Sequence, residues 1–108
     1  HHYAEWLGAL APRYDREWGD AADQRQVREH IAAAASWGRR NGAMMQLGEF
    51  GVNRMVPIAQ RATWTRTVRE ACEAEGMGWC VWDFAGAFPV WDRDARAWIE
   101  PVRAALLD

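Results

Sequence analysis

The apolar positions change period several times along the chain. From Asp23 to Arg40 they recur at helical spacing, with Val27, Ile31, Ala34, Ala35 and Gly38 on one face and Asn41-Gly42 as the stop. Ala43-Met44-Met45-Gln46-Leu47 is a short, mostly apolar run leading into Gly48-Glu49-Phe50-Gly51. It predicts a buried parallel strand over about Met44–Gly48, with an acid directly after its C-terminal end. A loop through Asn53 and Pro57 gives way to a second helix, Gln60 to Glu75, whose stripe of Trp64, Val68, Ala71 and Cys72 faces the sheet. Gly76 is the expected terminator. Met77 to Phe84 reads as a second buried strand, centred on Gly78–Asp83. A loop containing Gly and Pro follows, then a last helix over about Ala97–Leu107 with Trp98, Val102, Ala105 and Leu106 inward and Pro101 in its first turn.

Strands alternating with helices in this order are the signature of βα units and a parallel sheet, so the fold class is α/β. The few strands that 108 residues supply make a poor independent sheet, because both outer edges would be apolar and unpaired. The chain is therefore expected to be a fragment of a larger sheet.

Composition narrows the function. Thirteen basic residues, every one Arg, against 15 acidic ones give a net charge of −2 with no basic cluster, which argues against nucleic-acid binding. No apolar run approaches the roughly 18 residues of a membrane span, and His1-His2-Tyr3-Ala4-Glu5-Trp6 lacks the features of a signal peptide. Cys72 and Cys80 lack metal-ligand spacing and fall on a helix and a strand facing different layers, so buried free thiols are expected rather than a disulfide. The eight Trp are a heavy load for this length. Most are expected in core packing, a minority as flat platforms for sugar rings.

Two places carry candidate chemistry. A carboxylate at the C-terminal rim of a parallel sheet stands where α/β folds place their active sites, and the glycines flanking Glu49-Phe50 permit a close-approaching ligand. Pattern alone leaves Glu49 either a functional carboxylate or a solvated turn residue. In the next βα unit, Gly78, Cys80, Trp82 and Phe84 share one face, and Trp79, Val81 and Asp83 the other. Either set could line the site.

Gly48-Glu49-Phe50-Gly51, the Arg61 and Trp64 of the following helix, and the run from Gly78-Trp79-Cys80-Val81-Trp82-Asp83 to Phe88-Pro89-Val90-Trp91-Asp92 together resemble glycoside hydrolase family 5. The resemblance covers nearly all of residues 1–108 and implies the C-terminal portion, about strand 6 to helix 8, of a (β/α)8 TIM-barrel catalytic domain. It makes Glu49 the nucleophile at the end of strand 7 and Trp82 part of the sugar-binding floor after strand 8. His1 and Tyr3 would match the family's His-x-Tyr ending strand 6, although His1 and His2 could equally be a tag remnant. Tyr3 would then donate a hydrogen bond that orients Glu49 and helps keep it ionised. The segment from Ala4 to Ala22 departs from the longer aromatic loop of many members.

The implied activity of the parent is retaining hydrolysis of β-linked polysaccharide, cellulase- or β-glucanase-like, on glucan or mannan oligosaccharides, without metal or organic cofactor. The family's acid/base Glu lies in an Asn-Glu-Pro motif, which these 108 residues do not contain. A barrel needs about 250 residues. The fragment alone is therefore expected to be inactive, with the inward faces of Met45, Leu47, Cys80 and Trp82 exposed and its open sheet edges covered by the remainder of the barrel or by another chain. The resemblance also implies a secreted or periplasmic parent. The competing reading from another class is a non-catalytic carbohydrate-binding or structural module that retains Trp-rich strand ends.

Overall fold

A computed structural model of the chain describes residues 17–108, so His1, Tyr3 and the candidate strand 6 lie outside the described residues. The first described helix, α1 (Ala21–Asn41), starts two residues before the expected Asp23. The Asp20 carboxylate accepts from the Asp23 N–H at 2.8 Å, and Asp23 in turn accepts from the Gly19 N–H at 2.9 Å. Asp20 thus satisfies a donor that the helix itself leaves orphaned, and Asp23 ties the residue before the cap to the first turn. Asp20→Ala is expected to cost the full-length protein about 1 kcal/mol in urea denaturation. An unchanged midpoint would show that this cap contributes nothing. At the other end Gly42 sits at φ 63° and its N–H bonds to the Gly38 carbonyl, a left-handed cap for which glycine has no Cβ penalty.

Strand β1 (Gln46–Phe50) is followed by α2 (Ile58–Ala74) and β2 (Gly78–Val81), and β1 pairs with β2 in parallel. This is a βαβ unit, as the alternating pattern predicts. β1 runs two residues further along the chain than expected, so Glu49 lies inside the strand rather than after it. After β2 comes a feature the pattern did not predict. A small antiparallel hairpin, β3 (Trp91–Asp92) and β4 (Ala97–Trp98), precedes α3 (Glu100–Leu107). Asp92 makes its turn by accepting from the Asp94 and Ala95 N–H groups at 2.9 and 3.0 Å. Trp98 therefore belongs to a strand and is 45% exposed, not part of the inner stripe of the last helix. Pro101 does stand in the first turn of α3.

The core lies between the strand pair and the helices. Phe50, Val68, Cys72, Val90, Val102 and Leu106 form its buried centre, with Val27, Ile31, Leu47, Trp64, Trp79 and Val81 partly buried against it. Arg69 of α2 donates through Nε to the Ala105 carbonyl at 2.9 Å, which gives a partner to the C-terminal end of α3. Cys72 is fully buried and Cys80 exposed, both as free thiols, so the expectation of two buried thiols holds only for Cys72. Burial, and then the neighbouring Glu73, pushes the Cys72 thiol above its ordinary pKa. Among the described residues, no helix is long and apolar enough to cross a membrane.

Candidate active site

The register of the parallel pair contains the decisive local feature. Leu47 is paired with Trp79 and Phe50 with Val81, so β1 advances three residues while β2 advances two. The extra residue is a β-bulge at Gly48-Glu49. Its effect is to put both Leu47 and Phe50 on the helix side, where strict alternation would have sent one of them to each face. Phe50 is held there by Trp64, with ring centroids 6.0 Å apart, and by Trp79 at 5.7 Å in an edge-on contact. Inside the shift alternation gives Glu49 no unique side, and its exposure is what assigns it to the open face.

The same face carries Gln46 and Cys80, whose side chains meet at 3.5 Å. Trp79 and Val81 pack against the core, which decides between the two candidate sets on the second strand in favour of Gly78, Cys80 and Trp82 for the open face. Met45 and Leu47 are not on that face. Leu47 packs against the core, and Met45 lies half-buried against Gly38 of α1.

Trp82 follows β2 directly and is 54% exposed. Its N–H donates to the Phe50 carbonyl at 2.7 Å, which extends the strand pairing to the residue next to Glu49. The Trp82–Asp83 peptide bond is cis. The Trp82 carbonyl lies so close to Gly51 that a Cβ there would overlap it. Only glycine permits this approach. Gly51→Ala is expected to destabilise the full-length protein by about 1–3 kcal/mol, since main chain must move to admit the methyl group. A urea midpoint equal to wild type would mean that the two strand ends are not in this contact.

Glu49 and Trp82 thus stand at the same end and on the same face of the strand pair. His1 and Tyr3 lie outside the described residues. Among the described residues no cluster of His, Cys, Asp and Glu is arranged to hold a metal ion.

The loop after β2 is tied down by residues that the sequence reading passed over or noted only as motif letters. Arg54, after β1, donates through its N–H to the Ala87 carbonyl at 2.8 Å and through Nη2 to the Gly86 carbonyl at 2.6 Å. Arg61 of α2, only 6% exposed, donates through Nη2 to the Pro89 carbonyl at 2.6 Å. The signal for Arg61 was its place among apolar positions on the buried side of a helix, which is costly for a charge without a partner.

No family model matches the chain, and no curated protein matches it. Solved structures do. An endoglucanase is 31% identical, with a TM-score of 0.81 over 85% of this chain and 30% of its own. A hyperthermophilic endo-β-1,4-glucanase in complex with substrate is 32% identical, with a TM-score of 0.80 over 86% of this chain and 30% of its own. Thermotoga maritima Cel5A, an endoglucanase, is 29% identical, with a TM-score of 0.82 over 99% of this chain and 35% of its own. The chain therefore spans about a third of the length of these structures. Its fold is that portion of a (β/α)8 barrel.

Proposed function

Because the chain is part of a barrel of the glycoside hydrolase family 5 kind, we propose that its parent hydrolyses β-linked polysaccharide with retention of anomeric configuration, and that Glu49 is the nucleophile. The observation that supports this reading is the register shift between Leu47 and Phe50, with Glu49 exposed inside it and the Trp82 N–H bonded to the next residue's carbonyl at the same strand end. Bulges that re-aim a side chain are over-represented next to active sites. Structures similar to this chain are those of an endoglucanase and an endo-β-1,4-glucanase, and Cel5A was solved with cellobiose and with mannotriose. A β-linked glucan or mannan oligosaccharide is accordingly the proposed substrate class.

In this mechanism the Glu49 carboxylate attacks the anomeric carbon and forms a covalent glycosyl-enzyme. Trp82 lies beneath the sugar at the point of cleavage. Water then releases the sugar, activated by a second carboxyl group about 5–5.5 Å from the first that has earlier protonated the leaving oxygen. His1 and Tyr3 are proposed to line the same subsite, with Tyr3 hydrogen-bonded to Glu49. No Asn-Glu-Pro occurs in the 108 residues, so the proton donor is proposed to come from the remainder of the barrel. That remainder would also cover the open face of Gln46, Cys80 and Trp82, and the 108 residues alone would not turn over. A polymeric substrate goes with a parent that is secreted or periplasmic.

Proton NMR of the first products released from a cello-oligosaccharide by the full-length protein tests the reaction class. The β-anomer should appear first and the α-anomer only by later mutarotation. An initial α-anomer would mean inversion and would remove the nucleophilic role.

A further inference from the structure

Two loops leave the C-terminal ends of the strand pair, residues 51–57 after β1 and 82–90 after β2. The second loop has some order of its own. The Asp83 N–H donates to the Phe88 carbonyl at 3.1 Å, and the Asp83 carboxylate accepts from the Gly86 N–H. It is also held from outside. Arg54 holds Gly86 and Ala87, and Arg61 holds Pro89, so three hydrogen bonds reach the loop's carbonyls, two from the loop after β1 and one from α2.

Arg61 is an expensive way to hold a loop if packing were its only task. It is buried, it makes no ion pair among the described residues, and its Nε has no hydrogen-bond partner there. Burial, and then the charge of nearby Arg54, lowers its pKa. An apolar side chain of similar length would fill the same space without that desolvation. What an apolar side chain cannot supply is a directed donor onto the Pro89 carbonyl from a rigid helix.

We propose that Arg61, assisted by Arg54, is a positioning residue for the hydrolytic reaction. It locks the loop that begins at Trp82 onto the segment that follows Glu49, and so sets the distance between the nucleophile and the aromatic floor. The proposal rests on the reading of Glu49 as nucleophile and Trp82 as floor. Neither arginine need touch the sugar. The reacting atoms must be held about 3–3.5 Å apart, and a misplacement of 1 Å originating away from the chemistry can cost about 10²-fold in rate. A floor free to move by that amount would still bind the glycan, because stacking tolerates small shifts, but it would bind it at the wrong height.

The test uses the full-length protein with an aryl β-cellobioside as substrate. Competent sites are counted by titration with a 2-deoxy-2-fluoro glycoside, so that unfolded protein does not enter the rate. Arg61→Met is expected to lower kcat per competent site by about 10–100-fold with little change in KM. Arg61→Lys, which keeps a donor but on a flexible stem without the planar group, should recover part of that loss. Arg54→Gln, at an exposed position, should lower kcat by a smaller factor while melting at the wild-type temperature. A purely structural role would lower the melting temperature and the number of competent sites but leave kcat per site unchanged, and that result overturns the proposal. Should Arg61→Met fail to fold, wild-type kcat in both Arg61→Lys and Arg54→Gln overturns it equally. Azide rescue of Glu49→Ala is scored separately. Its failure removes the nucleophile, whereas wild-type kcat in the arginine variants beside a successful rescue removes only the positioning pair.

Discussion

Glu49→Gln in the full-length protein is expected to lower kcat on cello-oligosaccharides by on the order of 10³–10⁶-fold while leaving glycan affinity nearly unchanged. The amide has the shape and hydrogen-bonding reach of the carboxylate but no anionic oxygen to form the glycosyl-enzyme bond, so binding and chemistry should separate. The local structure makes this a clean substitution. Glu49 is exposed in the bulge, and the fold is held at this point by its neighbour Phe50 on the other face, so the melting temperature should not fall. Kinetics and calorimetric titration with a cello-oligosaccharide on the same preparation would measure both quantities. A variant with more than a tenth or so of wild-type turnover would end the assignment of Glu49, since even general acid catalysis alone is worth about 10²–10⁴-fold. A variant inactive because it no longer binds glycan would make Glu49 a binding residue instead.

How much of this could be read from the chain depends on the range of the interactions involved. The stripes of α1 and α2 are local, and Val27, Ile31, Ala35, Val68, Ala71 and Cys72 lie where their spacing put them. The two parallel strands were legible because short apolar runs between helices leave few alternatives. The bulge was not. It exists only in the register of β1 against β2, separated by a whole helix, and nothing within Gly48-Glu49-Phe50 announces which partner each residue will face. For the same reason Met45 and Leu47 read as inward-facing when the strand pair turns them to the helices. The β3–β4 hairpin was missed because each strand is two residues long, too few to show alternation, and Trp98 fell by chance on the stripe of the helix that follows. Glu49 could be marked as a candidate by its place after an apolar run, whereas Trp82 was singled out only by the resemblance to glycoside hydrolase family 5. Arg54 and Arg61 could not be assigned their contacts, because these are made to main-chain carbonyls, which carry no sequence signal.

The largest stability effect is expected from Phe50→Ala. Phe50 is 6% exposed and is the last residue of β1, gripped between Trp64 of α2 and Trp79 of β2. Truncation removes the ring's transfer free energy and leaves a cavity walled by two indoles that cannot collapse freely, a combination that costs about 3–5 kcal/mol. Set against a total stability of about 5–15 kcal/mol, that is enough to bring the full-length protein near its unfolding threshold. The bulge gives the loss a second consequence. The ring is what forces two residues of β1 to face the helices within a three-residue advance, so without it the strand can relax to strict alternation and carry Glu49 away from the open face. Turnover per folded molecule should therefore fall as well as stability, which an ordinary core truncation would not produce. Phe50→Leu separates the two effects, because it refills most of the volume with an apolar side chain but cannot make the edge-on contact with Trp79. It should cost less stability, about 1–1.5 kcal/mol, and retain most of the turnover per folded molecule. Urea denaturation and kcat per titrated site, measured on both variants, decide the matter. A loss below about 1 kcal/mol for Phe50→Ala would mean that the ring is not the anchor of the strand. Equal turnover per site in Phe50→Ala and wild type would mean that the bulge is held by the backbone alone.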